Sequence, residues 1–185
     1  MPAPDERQLI ELAKAGDHEA FRALVERYMK QAYTIAIGVV ADHADAQDIV
    51  QDAFVKIFQV LNTFRGDAEF STWMYRIVTN MSLNRVKQQR RQAQRMVSQN
   101  VLETMLAGNT ENPADSADVK THIERALHQL PTLQRAVVIL RHLDGLSTRQ
   151  VSNILRCSEG TVKTHLYRGL KRMRLILKSL QHEIL

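Results

Sequence analysis

Apolar residues recur at intervals of three and four along nearly the whole chain, and no stretch sustains an apolar–polar alternation at every second position. That regularity removes sheets from consideration, because a half-buried strand needs period two and a helix period 3.6. The chain is therefore predicted to be all-α. From Asp5, the series Leu9, Leu12, Ala13 and then Ala20, Leu24, Val25, Tyr28 gives two helices parted at Gly16, with Asp17 placed to cap the second, which runs to about Val40. A third, over "DHADAQDIVQDAFVKIFQVL", turns Ile49, Ala53, Ile57 and Val60 or Leu61 inward and leaves Asp45, Asp48 and Asp52 outside. After a turn centred on Gly66 in "NTFRGDAEF", Ser71 is predicted to cap a long helix. Its apolar face is Trp73, Ile77 and Met81, and its cations gather towards the end, as the macrodipole favours.

Between about Ala93 and Val119 the periodicity fades into "AGNTENPADSAD", residues that favour turns and disorder. The expected organisation is two small helical domains, 1–94 and 120–185, joined by a flexible linker over 95–119. Roughly 25 residues at about 3.3 Å each reach on the order of 80 Å, more than two DNA turns of about 34 Å, so the two units can sit apart on one duplex. The second unit begins with a helix carrying Ile123, Ala126, Leu127 and Leu130. Pro131 breaks it and starts another carrying Leu133, Val137 and Leu140, which Asp144 and Gly145 stop.

"LSTRQVSNILRCSEGTVKTHLYRG" is then predicted to be a helix-turn-helix. Ser147 caps the first helix with Gln150 as its reciprocal partner, Val151, Ile154 and Leu155 face inward, "RCS" turns, and Ser158 caps the second helix. That second helix repeats Val162, Leu166, Leu170 and Met173 on one side, and after Glu159 carries Lys163, Arg168, Lys171, Arg172, Arg174 and Lys178 with no carboxylate among them. In a major groove, Lys163, Thr164, Tyr167 and Arg168 meet bases and nearby phosphates, Lys171, Arg172 and Arg174 neutralise backbone, and Ser147, Thr148 and Arg149 hold a phosphate. Charge along the chain supports two polyanion contacts: net −5 over residues 1–75, +6 over 76–95, −4 over 96–119 and +8 over 120–185.

Several function classes have no support. No run of about 18 apolar residues and no cationic start followed by an apolar block suggests a membrane span or a secretory signal, so the expected location is the cytoplasm. The lone Cys157 forms no internal disulfide and is expected to be a small buried residue. No glycine-rich phosphate loop, nucleophile elbow or HExxH marks an enzyme. His122 and His128, six apart, and Cys157 with His165 are poor ligand sets, so no metal and no cofactor are expected.

The stretches "DAQDIVQDAFVKIF", "NTFRGDAEFSTWMYRIVTN" and "GLSTRQVSNIL…GTVKTHLYRGLKRMR" closely resemble the extracytoplasmic function group of bacterial sigma factors, over nearly the whole chain. The resemblance implies a dissociable initiation subunit that binds RNA polymerase core, recognises promoter DNA at −35 and −10 and opens it, with an anti-sigma factor as a regulatory partner. It makes Asp48, Gln51 and Asp52 the polymerase-binding group. It also makes Phe64 and Asn80 the pocket for a base extruded from the −10 element, where a ring supplies stacking and an amide reads an edge. Arg76, Arg85, Lys87, Arg90 and Arg91 then contact the −10 strand, Trp73 is mostly buried, and Thr161 joins the −35 set. Lys163, Thr164 and His165 stand where many members of the group place arginine or serine, which leaves the upstream sequence preference open. The alternative is a conventional helix-turn-helix regulator, which needs a ligand or dimerisation domain where this chain has an acidic helix, a polar loop and a basic aromatic helix.

Overall fold

The computed structural model describes residues 5–99, 119–143 and 145–182, and among these it contains helices and no strand. Short polar side chains set the helix starts. Helix α1, Glu6–Lys14, ends before Gly16, whose φ of +94° suits only a residue without a Cβ. Asp17 Oδ1 accepts from the Glu19 and Ala20 amides at 2.9 and 3.0 Å and starts α2, His18–Val40. Ala41 in the left-handed region closes α2, and Asp42 Oδ1, accepting from the Asp45 amide at 2.8 Å, starts α3, His43–Val60. A 3-10 turn, Leu61–Thr63, and a loop lead to α4, Phe70–Gln99.

Helices α1 to α4 enclose Leu24, Ile35, Val39, Ile49, Ala53, Ile57, Phe70, Met74 and Val78. Helix α4 differs from expectation in two respects. It begins at Phe70, so Ser71 lies inside it and does not cap it. Its interior stripe is Phe70, Met74, Val78, Ser82 and Val86, one position round from the expected face, and Trp73, Ile77 and Met81 pack half-buried at its margin. The polar Ser82 hid that stripe. Its hydroxyl donates to the Val78 carbonyl at 2.9 Å, which makes it compatible with the interior.

The second half comprises α5, Val119–His128; α6, Thr132–Val138, extended by a π-helical turn, Ile139–Leu143; α7, Thr148–Leu155; and α8, Glu159–His182. Ala126, Leu127, Val137 and Leu140 are buried, but Ile123, Leu133 and Leu170 are exposed, and Gly169 is buried instead as α8 crosses Val138. Cys157 is half-buried. Ser147 and Gln150 form the reciprocal cap of α7, with the Gln150 amide 3.2 Å from Ser147 Oγ and the Ser147 amide 2.8 Å from Gln150 Oε1. Ser147→Ala removes the bond that Ser147 Oγ accepts from the Gln150 amide, in a helix of eight residues, and is expected to cost about 1 kcal/mol, read as a lower denaturation midpoint.

The two halves pack on each other. Helix α7 lies on α4 and α6 on α2, and Val137, Leu140, Val151, Ile154 and Val162 belong to the same buried cluster as the core of α1–α4. The linker expected at 95–119 falls mostly outside the described residues. No helix among those described is long and apolar enough to cross a membrane.

Candidate nucleic-acid interface

On α4, a rotation of 100° per residue puts Arg76, Asn80, Lys87 and Arg91 along one side. Arg76 and Asn80 are half-buried and the two later cations exposed. Beside them Asn84, Lys87, Gln88, Arg91, Gln92 and Arg95 line an open polar trough. No carboxylate lies on this stripe.

Arg85 lies round the helix on the opposite side. Its guanidinium is 3.4 Å from an Asp45 carboxylate oxygen and 3.6 Å from one of Asp48, and the Gln89 side-chain amide donates to Asp45. The structure therefore brings Arg85 to the acidic face of α3 and joins it to the polymerase-binding candidates, away from the other cations. Arg90 is engaged as well, donating to Thr132 Oγ1 of α6 at 2.8 Å.

Phe64 is only 8% exposed. Its ring meets Phe70 edge-on at 5.6 Å and Trp73 at 5.3 Å, with Lys14 Nζ 5.7 Å from its centroid. The exposed loop above it, residues 65–69, turns at Gly66, φ +79°, and presents Arg65, Asp67 and Glu69. Phe64 thus sits beneath the loop and fixes its base.

In the helix-turn-helix, Arg156 in the left-handed region makes the turn, and Ser158 Oγ accepts from the Thr161 amide at 3.0 Å to start α8. Thr161, Lys163, Thr164, Arg168 and Lys171 are all exposed, and Tyr167 is 68% exposed. Spacings of three and four put Lys163, Tyr167 and Lys171 with Thr164 and Arg168 on one continuous face opposite Val162 and Leu166. His165 is half-buried on the flank, and its Nδ1 has no hydrogen-bond partner. Ser147 and Arg149 are exposed at the start of α7 and Thr148 is half-buried.

Asp48, Gln51 and Asp52 are exposed together on α3. Beside them lies a feature that the sequence-based assignment missed, an apolar groove of about 810 Å³ between α2 and α3, lined by Phe21, Val25, Met29, Phe54, Val55 and Phe58, with Gln51 on its wall. The signal was present in Val55 and Phe58, which continue the series Asp48, Gln51, Asp52 at helical spacing on the outer face.

Residues 24–92 match the family model described as Sigma-70 region 2, and residues 120–173 the one described as Sigma-70, region 4. Over 169 residues, 87% of this chain and 88% of the relative, the sequence is 35% identical to the ECF RNA polymerase sigma-E factor of Escherichia coli (strain K12). Over 185 residues it is 29% identical to the ECF RNA polymerase sigma factor SigW of Bacillus subtilis (strain 168), covering 94% of this chain and 97% of that protein. Among solved structures, the sigma factor RpoE in complex with the anti-sigma factor NepR from Bartonella quintana is similar at a TM-score of 0.66 and 26% identity, over 85% of this chain and 96% of that one. CnrH, in complex with the cytosolic domain of CnrY, shares the fold at a TM-score of 0.67 and 24% identity, over 94% and 97%.

Proposed function

The chain belongs to the extracytoplasmic function RNA polymerase sigma factors of the sigma-70 family, and on that premise we propose how its surfaces divide the work. It is a DNA-binding transcription initiation factor without enzymatic activity, acting with RNA polymerase core at promoters. Residues 1–94 bind core and read and melt the −10 element, 120–185 read −35, and 95–119 connect them.

The observation that carries this assignment is a pair of carboxylate-free cationic faces, on α4 and α8, in a chain whose α3 presents acid. Arg76, Asn80, Lys87 and Arg91 track the −10 strand, with Arg90 available to it once free of Thr132. Phe64 is the floor of the base pocket, holding the loop in shape for an extruded base, and Asn80 supplies the amide. Thr161, Lys163, Thr164, Tyr167, Arg168 and Lys171 meet the −35 groove, with Ser147, Thr148 and Arg149 on a phosphate. Strand opening draws on polymerase contacts and capture of the unpaired strand, since the sequence has no nucleotide-binding loop. An anti-sigma factor of the kind that NepR is to RpoE is the expected regulator, and the expected location is the cytoplasm.

Core docks on α3, where Asp48, Gln51 and Asp52 give charge and the adjoining groove gives apolar area. Asp48→Arg with Asp52→Arg places like charge against a basic partner and is expected to weaken core binding at least about tenfold in a competition pull-down, with helix content unchanged. The assignment as a whole is tested by adding the chain to purified core. Initiation at a cognate promoter is expected, together with weak duplex binding by the chain alone. A stable, sequence-specific dimer on DNA without polymerase would mean a conventional regulator instead.

A further inference from the structure

Beyond Asn80, helix α4 runs on for about five turns to Gln99, and its outward side there is more than a cationic face. Two rows of side chains follow it. Asn84 and Gln88 continue the row that Asn80 begins, each four residues after the last, and Lys87, Arg91 and Arg95 form a second row at the same spacing. A rotation of 100° per residue puts these five within an arc of about 100°. All five are exposed, and with Gln92 they line the open trough, about 680 Å³ in volume, in which no carboxylate takes part. Round the helix, Arg85 and Gln89 are bonded to Asp45 of α3 and Arg90 to Thr132 of α6, so the trough is the side that this half of α4 offers to a partner.

The amides are the informative part. Phosphate oxygens only accept, and the cations suffice for them. A carboxamide donates and accepts at once, which matches the N6 amine and N7 of an adenine side by side in the major groove. Cations on phosphates with amides between them and the bases is the division of labour by which proteins hold a duplex and read it. The direction of α4 fixes where this happens. Asn80 is assigned to the extruded base, and the chain leaves α4 for the unit that reads −35, so α4 points upstream from the opened segment. Gln88 lies about 12 Å further along the axis than Asn80, equal to between three and four base pairs at about 3.4 Å each.

We propose that Asn84 and Gln88 read base edges in the major groove of the duplex just upstream of the −10 element, a further promoter subsite that favours adenine, while Lys87 and Arg91, following the strand out of −10, and Arg95 hold its phosphates. This rests on the sigma-factor assignment above.

The test uses promoter fragments in which about five base pairs upstream of −10 are randomised, selected for binding to holoenzyme made with purified core and sequenced. The wild type is expected to favour adenine at two of these positions, by about tenfold each. Asn84→Ala should abolish the preference at one and Gln88→Ala at the other, with the slope of log K against log salt unchanged. Gln88→Glu, an isostere whose carboxylate only accepts, should turn its position from adenine to cytosine, whose N4 amine donates. Lys87→Gln with Arg95→Gln should do the opposite of the alanine variants, keeping the preference and making the salt slope shallower by about 1.8. A wild type indifferent to base in this stretch overturns the subsite even if a variant fails to fold, and so does a preference that both alanine variants keep or one for a base other than adenine. Initiation from the −10 and −35 elements with a flat upstream stretch counts against the subsite alone, whereas failure to initiate from any fragment overturns the sigma-factor assignment and the subsite with it.

Discussion

Phe70→Ala is expected to cost about 3–5 kcal/mol, a large share of the roughly 5–15 kcal/mol that holds a domain of this kind together. Phe70 is 1% exposed and its ring touches three others, Tyr28 at 5.4 Å, Phe64 at 5.6 Å and Trp73 at 5.8 Å. The cavity cannot collapse easily, because Tyr28 is anchored elsewhere. Tyr28 donates to Glu6 of α1, which also lies 3.7 Å from Arg27, and burial with that carboxylate raises the phenol's pKa well above its ordinary value. The loss therefore spreads to α1 and to the loop over Phe64. Urea denaturation followed by circular dichroism reads it. Phe58→Ala is the contrast. Phe58 is 40% exposed and among the described residues its ring meets His18 and Phe21, so its stability cost is expected to be about 1 kcal/mol or less. Core binding should fall with it, because the groove loses its wall.

Replacing Lys163, Arg168 and Lys171 together with Gln is expected to weaken promoter binding by the holoenzyme about 100-fold near 0.15 M salt. The slope of log K against log salt should become shallower by about 2.7, at about 0.9 for each phosphate no longer neutralised. All three side chains are exposed on α8, so helix content should not change. A KCl series on one promoter fragment measures both quantities. An unchanged slope with relaxed sequence preference would move these residues from phosphates to base edges.

What the sequence disclosed followed the range of the interaction. Asp17, Ser147 and Ser158 each bond an amide two or three residues away, so these starts were legible from local pattern alone. The face of α4 was not, because two stripes one residue apart carry similar apolar content, and only packing against α2 and α3 selects Met74 and Val78 over Trp73 and Ile77. The exposed cations of α8 were legible from charge without opposing acid. Arg85 looked like one more cation in a basic run, since its partners Asp45 and Asp48 lie some forty residues away along the chain. The seat of Ile139 on Gly38 is likewise a long-range contact with no local trace.

Those locally determined starts bear on the order in which the protein is made. Helices α1 to α4 are complete by Gln99 and their contacts with one another need nothing downstream. The ribosome adds the remaining stretch of more than eighty residues at about 5–20 per second, a delay of roughly 4–17 s. The amino-terminal bundle has time to mature first, so the later helices arrive at a finished surface.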